Sequence, residues 1–193
     1  MPQRPLILRL PRFLGAVVMV VLALGDARAT AQDRSLEYAV KATYLYKFIP
    51  FIVWPSAAFA SPGAPIDVCV SADASFASLV GNAAAGQTIE HHPLAVRRVA
   101  APAEEAGCQV LFVGSDDNAA RSAELAVVRG KPVLTVTDGV AGAAHGIVNF
   151  VLRDDRVRFE IDLAQAAQSG IEISSKLLSL AVAVRPASYG GRP

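Results

Sequence analysis

The clearest patterning of apolar and polar positions is GIVNFVLRDDRVRFEIDLAQAAQSGIEISSKLLSLA, from Gly146 to Ala181. Gly146 to Leu152 is an apolar run broken only by Asn149, as in a strand covered on both faces. Arg153-Asp154-Asp155-Arg156 is a charged turn, after which Val157, Phe159 and Ile161 alternate with Arg158 and Glu160, as in a half-exposed strand. The two runs predict an antiparallel hairpin. Asp162 is placed to cap a following helix, with Gln165 three residues on, and Gly170 to stop it. Ser174 is placed to cap a last helix in which Leu177, Leu178, Ala181 and Val184 share a core-facing spacing.

Upstream, Leu36, Ala39, Val40, Thr43, Tyr44 and Lys47 follow a 3.6-residue period and predict a helix over 36–48, ended by Pro50. The densest aromatic segment follows. It reads either as chain packed on the core or, through Phe51, Ile52, Trp54 and Phe59, as an apolar contact patch for a partner. Strands are predicted at Ile66 to Ser71, Leu94 to Val99, Gln109 to Val113 and Val133 to Thr137. Helices are predicted from Asp73 to Asn82 and, capped by Ser115, through Val128. This alternation predicts an α/β sandwich of one domain: a mixed, mostly parallel sheet with an antiparallel C-terminal hairpin and helices on both faces.

The first 29 residues read differently. Arg4, Arg9 and Arg12 precede the apolar run Phe13 to Leu24, and Ala27-Arg28-Ala29 is a small-x-small cleavage site. The run is short for a membrane span, which needs about 20 apolar residues. The expectation is a cleaved signal peptide, 1–29, followed by a domain over 30–193 with no later span. Cleavage after Ala31 and an uncleaved anchor are the alternatives. The chain carries 18 Lys+Arg and 17 Asp+Glu; without the four arginines and one aspartate of 1–29 these become 14 and 16, a net charge of −2. That balance argues against a nucleic-acid partner. Cys69 and Cys108 are the two cysteines, and in an exported chain such a pair is more often a disulfide than two buried thiols.

Candidate chemistry is sparse. Gly139, Gly142 and Gly146 match neither a dinucleotide nor a Walker spacing. His91 and His92 are adjacent on an extended segment and point apart, and His145 is distant, so no metal or cofactor site is expected. There is no G-x-S-x-G or C-x-x-C, so no catalytic residue is assigned and the chain reads as a non-enzyme. Asp116 and Asp117 follow a strand end and begin a helix, which suits either the helix dipole or a ligand cleft at the C-terminal sheet edge. Asn149 reads as structural first and ligand-orienting second.

Several of these segments together resemble the YfiR family of exported bacterial proteins, also described as a domain of unknown function. The matching pieces are VKATYLYKFIPFIVWP from Val40 to Pro55, the IDVCVS strand, Cys108 to Val113, VLTVTD from Val133 to Asp138, GIVNFV, and RFEIDLAQAAQSGIEISSKLLSLA. The resemblance implies a homodimeric periplasmic regulator. It would bind and inhibit the sensor domain of a membrane-bound diguanylate cyclase and so set cyclic-di-GMP output; a histidine kinase sensor domain is the alternative partner. It also implies a Cys69–Cys108 disulfide. The second cysteine pair of the best-known member has no counterpart in Gly139 to Leu152, which weakens any switch built on that bridge. The rival reading is a solute-binding module signalling to a histidine kinase, with Asp116, Asp117 and Asn149 in its cleft.

Overall fold

The structure, a computed structural model, describes residues 34–100, 107–139 and 142–187. The expected signal peptide lies outside them. The chain divides into two units, Met1–Leu36 and Glu37–Pro193; of the first, only the opening turn of helix 34–48 is described. Helix α1 spans 34–48, and a short strand β1, Ile52–Val53, follows it. Then come β2 (Ile66–Ser71), α2 (Ala74–Ala84), β3 (Thr88–Ile89), β4 (His92–Arg98), β5 (Val110–Val113) and α3 (Asn118–Val127). The rest is β6 (Leu134–Asp138), β7 (Val148–Arg153), β8 (Arg156–Asp162), α4 (Leu163–Gln168), β9 (Glu172–Ile173), α5 (Ser175–Leu178) and β10 (Ala183–Arg185).

Eight strands form one mixed sheet in the order β10-β8-β7-β6-β5-β2-β4-β3, and β1 pairs with β9 in a second. Five consecutive strands, β7 to β4, run parallel; β8 turns back on β7, with Phe150 opposite Phe159. The period of two sorts the side chains. Val68 and Val70, Val110 and Phe112, Leu134 and Val136, Val148 and Phe150, Phe159 and Ile161 all enter one core with Leu45 and Phe48 of α1 and Phe76 and Val80 of α2. The alternate residues Cys69, Leu111 and Val113 meet Leu125 and Val128 on the other face. Phe48 centres the first layer, its ring 4.9 Å from Phe159 edge-on and 5.9 Å from Phe150. Such pairs add about 1 kcal/mol each beyond the buried area.

The hairpin and its sequel follow the expected local chemistry. Asp154 and Asp155 both take positive φ, 51° and 54°, as a two-residue hairpin turn with the right twist requires. The Asp162 carboxylate accepts from the Gln165 amide at 3.0 Å. Gly170 at φ 66° closes α4: its amide and that of Ile171 donate to Ala167 and Ala166, the paired bonds of a Schellman stop.

Four expectations need correction. Helix α1 exists, but its buried face is Lys41, Ala42, Leu45 and Phe48, while Lys47 is exposed. Apolar residues lie on more than one of its faces, Leu36 being 66% exposed, so periodicity alone leaves its phase open. Strand β7 is covered on both faces only at its start; Leu152 is 56% exposed. Helix α3 is capped by Asp117, whose carboxylate accepts from the Ala119 amide at 2.9 Å, and not by Ser115. The last helix is a single turn, and Val184 belongs to the exposed strand β10.

Candidate functional site

Two places combine exposure with specific chemistry. The first is a cleft of about 800 Å³ at the C-terminal ends of β6 and β7, lined by Lys41, Asp116, Asp138, Asn149, Glu160 and Arg185 among others. Lys41 is buried, and its ammonium donates to both carboxylate oxygens of Asp138, at 2.6 and 2.7 Å, and to Glu37 one turn earlier. Beneath it Arg121, 1% exposed, donates to the carbonyls of Ser115 and Asp138, at 2.9 and 2.7 Å. Two buried cations therefore tie α1 and α3 to the ends of β5 and β6. Burial, then the charges of Asp73 and Asp138, push the Tyr38 hydroxyl up, because these carboxylates gather where the strands end.

The Gly- and Ala-rich loop after β6 closes onto the sheet. A Cβ on Gly139 would sit 2.1 Å from the Phe150 carbonyl oxygen, and one on Gly146 2.6 Å from that of Thr135. These glycines permit close backbone approach, which explains their spacing without a phosphate. Thr137 donates to the Asn149 carboxamide oxygen at 2.8 Å and its hydroxyl accepts from the Gly146 amide at 3.0 Å. Asn149 thus has a structural partner, and its amide nitrogen remains for the cleft. Of the three expected cleft residues, Asp116 and Asn149 line it; Asp117 serves as the cap of α3.

His145 sits at the far side of the cleft. Its Nε2 lies 3.4 Å from Asp162 Oδ2 and accepts from the Arg185 guanidinium. Burial raises the Asp162 carboxyl, but hydrogen bonds, led by those from the Gln165 amide and side chain, outweigh it and leave the group below the usual carboxylate range. A carboxyl lowered on folding stabilises above its unfolded pKa of about 3.9, and that stability is lost as pH falls through the lower folded value. Asp162→Ala, which removes the cap, is therefore expected to cost about 1 kcal/mol at pH 7. The difference from the native protein in urea melts should shrink below about pH 4.

The second place is the β1–β9 corner. Phe51, Trp54 and Phe59 are half-buried, and Phe59 stacks on His92 at 4.5 Å. Ile52 is 7% exposed and belongs to the core. The exposed apolar side chain is its neighbour Val53, 60% exposed and opposite Glu172. Trp54 Nε1 is buried with no hydrogen-bond partner among the described residues. Cys69 of β2 and Cys108 before β5 are joined in a disulfide, Cα to Cα 5.9 Å.

Sequence reasoning missed Lys41, Arg121, Asp138 and Arg185. Two of them left a signal: Lys41 is in phase with Leu45 and Phe48, and Arg121 with Leu125 and Val128. A cation on the apolar stripe of a helix must carry a partner inward.

Among the described residues no helix is long and apolar enough to cross a membrane. A family model described as YfiR/HmsC-like matches residues 38–182 of this chain, from within α1 to just before β10. No curated protein matches it.

Proposed function

From the premise that this chain belongs to the YfiR/HmsC-like family, we propose that it is a non-enzymatic periplasmic inhibitor that binds the sensor domain of a membrane-bound diguanylate cyclase and lowers cyclic-di-GMP output. The family match over nearly the whole described chain carries this reading. Inhibition then works by differential affinity: the protein binds the inactive sensor state more tightly and shifts the population toward it. Export delivers it to the compartment of such sensor domains, and its disulfide fits that compartment.

The contact surface favoured here is the β1–β9 corner, with Val53 exposed between half-buried Phe51 and Trp54. A two-strand ribbon with an exposed valine and a rigid aromatic base suits an apolar anchor in a partner's pocket. Val53→Glu is expected to leave the melting temperature within about 2 °C, since the side chain is exposed, and to weaken capture of the cyclase at least about tenfold, because it buries an unpaired charge in the contact. The check is co-purification of a cyclase with a periplasmic sensor domain from detergent-solubilised membranes, alongside cyclic-di-GMP in a deletion strain. Recovery of no such enzyme together with unchanged cyclic-di-GMP rejects the reading.

The cleft supports a second reading, a small-solute module signalling to a histidine kinase. Its volume is that of small-molecule pockets, and it combines fixed charges of both signs at a parallel sheet's C-terminal edge. A thermal-shift screen of small envelope metabolites discriminates, because a ligand of the folded state raises the midpoint.

A further inference from the structure

The C-terminal strand β10 is fastened to the sheet by little. All three of its residues are exposed, and it is an edge strand paired in parallel with β8 alone. Its apolar neighbours Leu180 and Val182 are also exposed, at 62% and 46%. The side-chain fastening among the described residues is Arg185, whose guanidinium donates to His145 Nε2 on the loop between β6 and β7. That bond requires a lone pair on Nε2, hence a neutral imidazole. A proton on His145 occupies the same lone pair and sets a cation against the guanidinium.

We propose that His145 and Arg185 form an acid-sensitive latch: protonation of His145 releases β10 from the edge of β8 and opens the wall that Arg185 contributes to the cleft. The reading of the protein as an inhibitor is not required for this. The groups that face His145 decide where the new charge settles. Asp162, on β8, is 3.4 Å away and stands beside Arg185 in the strand register. Glu160, on the same strand, is already engaged by Arg153 at 3.6 Å. Arg129, just after α3, lines a groove together with His145. Across the cleft, Asp138 is held by Lys41, and Asp116 stands beyond it. A protonated His145 gains the Asp162 carboxylate, 3.4 Å away, as its counter-charge and loses the lone pair that Arg185 requires. Asp162 stays ionised in acid, because its hydrogen bonds hold it below the usual carboxylate range.

Amide exchange of the protein at pH 5.0 and 7.5, corrected for intrinsic rates, tests this. Protection of the 182–185 amides is expected to fall about tenfold at pH 5.0, while the Phe150 and Phe159 amides of the hairpin stay unchanged. His145→Gln keeps a neutral acceptor for Arg185 and should abolish the pH dependence; Arg185→Gln removes the repelled charge and should leave 182–185 equally exposed at both pH values. Equal corrected protection of the native strand at both pH values overturns the proposal, whatever the variants do. So does a wild-type pH response in either variant.

Discussion

Replacing Cys69 and Cys108 together by alanine should lower the stability of the protein by about 4 kcal/mol. The bond closes a loop with a sequence separation of 39, and the chain-entropy relation for a loop of that length gives about 4 kcal/mol at 25 °C. Both cysteines are buried, at 0% and 3% exposure, among Leu111, Val113 and Val128 on the second face of the sheet. Alanine leaves a small apolar void there and adds to the loss, whereas serine would also bury a hydroxyl. For a domain of this size 4 kcal/mol corresponds to a fall of roughly 8–16 °C in melting temperature. Calorimetry of the native and doubly substituted proteins, with mass spectrometry of alkylated, non-reduced protein to verify the bond, is the measurement. A fall below about 3 °C would mean that the β2–β5 pairing already restrains the unfolded chain as tightly as the bond does. The same comparison bears on regulation. If reduction removes this much stability, loss of partner capture under reductant must be judged against the melting temperature before it is read as a switch.

The sequence made the sheet legible where one local rule acted alone. IDVCVS is β2 residue for residue, because its alternation is strict and Pro65 and Asp73 bound it. Asp162, Gln165 and Gly170 delimit α4 because a cap and a stop each have a distinct residue chemistry. The end of the chain failed because two periods coexist in it. Leu177, Leu178, Ala181 and Val184 fit a helix, while Leu180, Val182 and Val184 alternate as a strand. The structure follows the second after one helical turn, since the Val182 amide finds the Phe159 carbonyl at 2.9 Å. Only the position of β8 decides this, and position is a tertiary fact. The cleft was half legible for the same reason. Asp116 and Asn149 could be named from strand ends, but His145 and Arg185 lie 40 residues apart and meet only because β10 returns to lie beside β8. At the aromatic corner, composition marks the segment but not its faces: Ile52 turns into the core and Val53 out of it. With period-two geometry a slip of one residue exchanges the faces.

Lys41→Met should cost about 3 kcal/mol, the lower end of what removing one member of a buried ion pair costs. The lysine side chain is 4% exposed, whereas those of Glu37 and Asp138 are 25% and 31% exposed. The substitution therefore leaves two carboxylates that water partly reaches, and the loss is smaller than for a fully enclosed orphan charge. Methionine fills the alkyl channel of the lysine, so the loss is electrostatic and not a cavity. A double-mutant cycle with Asp138→Asn isolates the pair: a coupling of at least about 1 kcal/mol is expected for residues in direct contact. Additive losses would mean that Lys41 is held by Glu37 and by its contact with Tyr38, leaving Asp138 free to meet a ligand. That outcome would shift weight toward the solute-binding reading of the cleft, because a carboxylate not needed by the fold, beside Asp116 and the Asn149 amide, is an available recognition group. Strong coupling would instead make this end of the cleft part of the scaffold and leave its exposed mouth, with Glu160 and Arg185, as the part that can respond to its surroundings.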